Sequence, residues 1–115
     1  MPTTLQWTEY LIEDVPELRD ALLENERDNS GFEDHLFFGE IADWASHEYV
    51  ADNCSPKLDR LLANLERGFS DGDAYRRNLI ATSFIENLTW RSPLLATLGP
   101  EMTKAARGIY PASFE

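Results

Sequence analysis

Leu58, Leu61, Leu62, Leu65 and Phe69 recur at i, i+3, i+4, i+7 spacing with polar residues between them, which draws one apolar stripe along a helix. Val15, Leu18, Ala21 and Leu22 repeat that spacing in a second segment. Between Asp73 and Leu88 the pattern changes. At ~100° per residue, Tyr75, Leu79, Ile80, Ala81, Phe84, Ile85 and Leu88 point nearly all round the axis, as in a helix packed on most sides by others. No segment alternates apolar and polar residues over a useful length, so no strand is predicted. The expected fold is all-α: a compact helical bundle of six to seven helices around a central apolar helix at about residues 73–88.

Local punctuation sets the boundaries. Thr3 or Thr4 caps a first helix that runs to about Glu13. Asp14 precedes Val15-Pro16-Glu17, and proline in a first turn opens a second helix to about Asp28. Asn29-Ser30-Gly31 reads as a turn, and a third helix follows from about Asp34 to Ala51. Ser55-Pro56 starts a fourth, which Arg67-Gly68 ends with a cation in the last turn and glycine just beyond it. Ser70-Asp71-Gly72-Asp73 is the turn and cap before the central helix. Ser92-Pro93 begins a short helix stopped at Leu98-Gly99-Pro100, and the last helix runs from Pro100 to Arg107-Gly108. A chain of 115 residues supports one domain, residues 1–115, with one modest core. Trp7, Trp44 and Trp90 are assigned to that core, with Trp44, Phe37 and Ile41 sharing a face of the third helix.

Charge adds what periodicity does not. Acids outnumber bases 21 to 10, for a formal net charge of −11, so the basic footprint of a nucleic-acid or anionic-membrane binder is missing. The excess sits in the first half: residues 1–54 hold fourteen acids against Arg19 and Arg27, whereas residues 55–115 hold seven against eight bases. On the second helix Glu17, Asp20, Glu24 and Asp28 fall within about 80° on the side away from Leu18 and Leu22. Asp20–Glu24 and Glu24–Asp28 are like-charge i, i+4 pairs that each destabilise an isolated helix by a few tenths of a kcal/mol. Asp28 also opposes the helix dipole. Glu33, Asp34, Glu40 and Asp43 continue the series. One reading is a solvated face that keeps the chain dispersed. The other is a docking surface for a basic protein, formed by Glu24, Asp28, Glu33, Asp34, Glu40 and Asp43. Arg76 and Arg77, in the first turn of the central helix, are expected to pair with acids of the first half.

Candidate chemistry is sparse. Cys54 is the single cysteine, which excludes an intrachain disulfide and fits a reducing compartment. MPTTLQWTEY has neither the basic nor the apolar region of a signal peptide, and no apolar run approaches the ~20 residues of a membrane span. A cytoplasmic protein with no membrane partner is expected. Gly-rich phosphate loops, G-x-S-x-G and H-E-x-x-H are all missing. Glu86 projects between Tyr75 and Leu79 and is expected to be partly buried, as a general acid or base or as a carboxylate tied to an arginine or to free helix N–H groups. Asn87 beside it is expected to bond locally. Glu40, Asp43 and His47 share one side of the third helix and could offer ligands to a divalent metal, but the Glu-x-x-His pattern of paired helices is lacking. No metal, cofactor or catalytic residue is assigned, and the chain is not expected to be an enzyme.

Four segments carry a family likeness: Val15-Pro16-Glu17-Leu18, His35-Leu36-Phe37-Phe38-Gly39-Glu40, the run from Ile80 to Leu88, and Leu98-Gly99-Pro100. Through them, from about residue 14 to 102, the chain resembles small helical bacterial domains of the immunity-protein type, from polymorphic-toxin and contact-dependent inhibition systems. The resemblance implies an inert helical protein that neutralises a cognate protein toxin. A nuclease toxin would present the basic surface that an acidic bundle can block sterically and electrostatically. The alternatives are a DNA mimic or other regulatory interaction module using the same face, and a small enzyme or ligand-binding protein built on Glu86.

Overall fold

The helices begin where a side chain or a proline deals with their free N–H groups. A computed structural model describes residues 3–88 and 92–114. α1 (Thr4–Asp14) opens on a capping box: the Thr3 hydroxyl accepts from Gln6 N while the Gln6 side chain accepts from Thr3 N at 2.8 Å. A 3₁₀ turn at Pro16–Leu18 leads into α2 (Arg19–Asp28). α3 (Asp34–Ala51) and α4 (Pro56–Asp71) follow, the latter capped by Ser55 with Pro56 in its first turn. Asp73 caps α5 (Ala74–Leu79), and the same helical rod continues as a π-helical stretch, Ile80–Ile85, and a 3₁₀ turn, Glu86–Leu88. After a 3₁₀ turn at Pro93–Thr97, α6 (Pro100–Ile109) ends at a last 3₁₀ turn, Pro111–Phe114. Among the described residues the regular elements are all helical, and no helix is long and apolar enough to cross a membrane.

The all-α bundle is built on α3 and the rod at residues 74–88, which pack against each other. α3 buries Phe37, Phe38, Ile41, Ala42 and Ala45; the rod buries Leu79, Ile80, Phe84, Ile85 and Leu88. α4 supplies its predicted stripe, with Leu58, Leu61, Leu62 and Leu65 buried and Phe69 partly so. α2 packs on α3, α1 on α4, and α6 on both α4 and the π stretch. Trp44 packs on the core from its edge, and Trp90 lies outside the described residues.

The α2–α3 corner is held by side chains. The chain leaves α2 through a left-handed residue, Ser30 at φ 54°, followed by Gly31 at φ 140°. Gly31 N donates back to Glu26 O at 2.8 Å, which closes the helix end. Asn25 is 2% exposed and clamps the far side of the turn: its amide donates to Glu33 O at 3.0 Å and its carbonyl accepts from Glu33 N at 2.9 Å. The turn therefore has one geometry, and α3 folds back on α2.

Two expectations are corrected. α4 does not end at Gly68; it runs to Asp71, and Gly68 is buried within it. A Cβ at Gly68 would lie 2.4 Å from Trp7 Cζ2, so this glycine permits a close approach of α1's indole and stops nothing. The rod at 74–88, meanwhile, is not apolar all round: Tyr75 is 52% exposed, and Arg77, Asn78, Glu86 and Asn87 face outward. The angular projection assumed a uniform α-helix. A π turn holds more residues per turn, so beyond Ile80 that projection drifts, whereas Tyr75, Arg77 and Asn78 lie in regular α-helix and mark a side of the rod left open.

Candidate functional site

The proximity of α2 and α3 brings four of the six predicted docking residues into one electrostatic neighbourhood. Glu40 holds its proton more tightly than an ordinary carboxyl. Partial burial is the first cause, and the negative charges of Glu24, Asp28 and Asp43 are the others. All four side chains belong to exposed residues. Among the described residues the ion pair found on this face joins Arg27 to Asp28 at 3.4 Å, with both side chains about two-thirds or more exposed. Such a pair contributes little in water.

Glu33 and Asp34 form a second group at the start of α3. Asp34 accepts from Tyr75 Oη at 2.5 Å and from the backbone N–H of His35 at 2.7 Å. That bond, then partial burial, then the charges of Asp34 and Glu33 keep the Tyr75 phenol protonated beyond its usual range. A carboxylate at a helix N-terminus is also favoured by the dipole. His35 adds a tie to the rod, its Nδ1 lying 2.5 Å from the hydroxyl of the buried Ser83. Neither Tyr75 nor this His35–Ser83 contact is legible from periodicity. They depend on how the rod crosses α3.

The C-terminal half does compensate some acids, but different ones. Arg67 lies 3.7 Å from Asp14, Lys57 lies 3.9 Å from Glu17, and Arg60 donates to the Asp14 carbonyl at 2.9 Å. Arg77 is exposed and has no ion pair among the described residues, contrary to expectation. Arg76 is only 8% exposed, and its guanidinium lies 4.9 Å from the centre of the Trp7 ring. Among the described residues, the ion pair that reaches these α2–α3 carboxylates is that of Arg27 with Asp28.

The other candidates do not converge on a reaction. Glu86 is exposed, contrary to expectation; its backbone carbonyl accepts from Tyr110 Oη at 2.5 Å. Asn87 bonds locally, donating to Ser83 O at 2.7 Å. Glu40, Asp43 and His47 stand along exposed α3, and no group of three or more His, Cys, Asp or Glu residues among the described ones could hold a metal ion. What the acidic face can do is attract and hold guanidinium and ammonium groups.

No curated protein and no solved structure matches the chain. A family model does match, over residues 8–111, from α1 through the end of α6. On that match the chain belongs to the family described as Domain of unknown function (DUF7674).

Proposed function

We propose that the chain is a protein-binding module that docks a basic protein on the α2–α3 face, and that this partner is a bacterial toxin, a nuclease being the best fit, which the chain neutralises as an immunity protein. The observation that supports this is the raised pKa of Glu40, which partial burial causes first and the neighbouring charges of Glu24, Asp28 and Asp43 add to. Repelling carboxylates destabilise the free protein slightly, and a cationic partner relieves that repulsion on binding. The uncompensated field also speeds encounter with an oppositely charged partner.

The test is co-expression with the product of the neighbouring gene, followed by co-purification and a toxicity-rescue assay. A quadruple variant, Glu24→Lys with Asp28→Lys, Glu40→Lys and Asp43→Lys, should keep its helical spectrum and lose capture. With the native face, the association rate should fall by roughly one to two orders of magnitude as salt is raised. Undiminished affinity in the reversed variant would remove the acidic face from the interface. Failure of the native chain both to bind and to rescue would remove the immunity reading.

A further inference from the structure

One side of α3 stands open along nearly its whole length. Leu36, Glu40, Asp43, His47 and Val50 follow one another at i, i+4, i+7, i+11 and i+14, and each is exposed. That is the spacing at which one helix presents a seam to another. Leu36 is 55% and Val50 85% exposed, so an aliphatic side chain stands in water at each end, with two carboxylates and an imidazole between them. From Leu36 to Val50 the seam is about 21 Å long. No ion pair or side-chain hydrogen bond among the described residues engages any of its members.

The fold does not call for this stripe. The opposite side of α3, with Phe37, Phe38, Ile41, Ala42 and Ala45, already seals the helix against the core. A lone exposed leucine is ordinary on a protein surface. Here two aliphatic residues share a helix-packing register with the acids, which makes the face amphipathic along its length.

Charge selects the occupant. Glu24 and Asp28 of α2 lie close enough to the seam for their charges to act on Glu40. A helix laid on the seam therefore meets carboxylates at its middle and along one flank, and aliphatic surface at both ends. Lysine and arginine suit the middle, because their apolar stems cross aliphatic surface while their heads reach carboxylates. A second copy of the chain fits worse. Antiparallel pairing about a two-fold axis would set Leu36 against Val50 and Glu40 against His47, but it would also set Asp43 against its own symmetry mate, between two chains of formal net charge −11.

We infer that the α3 seam from Leu36 to Val50 is a docking site for a basic amphipathic helix of a partner protein, whose aliphatic residues cover Leu36 and Val50 and whose lysines or arginines meet Glu40 and Asp43. The inference rests on the docking role proposed for the α2–α3 face and adds the form of the element that the face receives.

The probe is a synthetic helix of about 18 residues, with leucines at both ends of one heptad seam, lysines between them, and alanine and glutamine elsewhere. Titrated into the isotope-labelled full chain at about 0.15 M salt, it should shift the amide signals of Leu36, Glu40, Asp43, His47 and Val50 saturably, with a Kd of about 1 mM or tighter. A scrambled peptide of the same composition keeps the charge and loses the seam, and should bind at least about fivefold more weakly. Leu36→Gln with Val50→Gln, both at exposed positions, should keep the helical spectrum and weaken the probe roughly tenfold. No saturable shift, equal binding of the scrambled peptide, or unchanged affinity in the double variant would overturn the assignment. So would a native dimer in sedimentation that the double variant disperses, which would give the seam to a second copy. Failure of the neighbouring gene's product to bind, with the probe still seated on the seam, would remove the toxin reading and leave this site standing. A captured toxin whose affinity ignores Leu36 and Val50 would do the reverse.

Discussion

On the α2–α3 face partial burial and then the charges of Glu24, Asp28 and Asp43 raise the pKa of Glu40, with Arg27 bonded weakly to Asp28. On the α1–α4 flank Asp14 and Glu17 meet Arg67 and Lys57, and Arg76, buried to 8% exposure, lies on an indole. The same chain therefore compensates charge where helices pack and leaves it uncompensated where a surface stays open. The first arrangement follows from packing, since α4 brings Arg67 and Lys57 beside Asp14 and Glu17, though these pairs are a third to two-thirds exposed and each contributes little. Packing does not explain the second, because interleaved lysines would stabilise α2 and α3 better than a row of acids. The difference separates charges that serve the fold from charges free to serve binding.

The packed flank breaks most readily. Gly68→Ala places a methyl group 2.4 Å from Trp7 Cζ2, in a helix whose neighbours cannot withdraw without disturbing the Trp7–Phe38 stack. Overpacking of about 3 kcal/mol, offset by ~1 kcal/mol of better helix propensity, leaves a net loss of about 2 kcal/mol in unfolding free energy, read from urea denaturation. A glycine on the other side gives the contrast. A Cβ at Gly39, within α3, would meet Asn87 Nδ2 at 3.5 Å, an ordinary contact, so Gly39→Ala should stabilise by about 0.5–1 kcal/mol. Equal effects at the two positions would show that the Trp7 nest yields easily, and the contrast between flanks would fail.

The next effect concerns the corner that brings the acids together. Asn25→Ala removes both hydrogen bonds to the Glu33 backbone; Glu33 O keeps the bond from Phe37 N, while Glu33 N loses its side-chain acceptor, a loss of about 1 kcal/mol. The loosened turn should also relax the crowding of Glu24 and Asp28 against Glu40. In the Asn25→Ala protein, the Glu40 carboxyl should titrate closer to its ordinary value of 4.5 by NMR. Loss of stability with no change in that titration would mean that the acidic face is set by core packing and not by the clamp.

Much of the architecture is written locally. Thr3, Ser55-Pro56, Asp73 and Ser92-Pro93 mark helix starts because a cap acts within one turn, and the stripe on α4 follows from spacing alone. Gly68 misleads because a helix stop and a close approach call for the same residue. Glu86 misleads because Tyr75, beside which it projects, is itself half exposed, and spacing does not say which side of the rod faces water. The Arg76–Trp7 contact joins residues far apart in sequence, so no spacing rule reaches it. The acidic residues are legible one helix at a time. They meet across a corner that the buried Asn25 clamps, a residue that reads in sequence as one more polar residue of α2.

The smallest effect probes the acidic face most directly. Because Glu40 has a raised pKa in the folded chain, the native state binds its proton more tightly than the unfolded state does. Stability from this group is therefore greatest at low pH and falls as pH rises from the ordinary value of 4.5 through the raised one; at neutral pH the ionised carboxylate is a net cost. Glu40→Gln should stabilise the protein at pH near 7 and lose that advantage as pH drops to about 4, where the native carboxyl is also protonated. Because the residue is exposed, solvent screening holds the gain to a few tenths of a kcal/mol. Salt at about 1 M, with a Debye length of about 3 Å, should remove most of the like-charge part. A gain that persists unchanged at low pH would come from helix propensity or packing at position 40. Glu24, Asp28 and Asp43 would then be ordinary solvated acids with no strain for a partner to relieve.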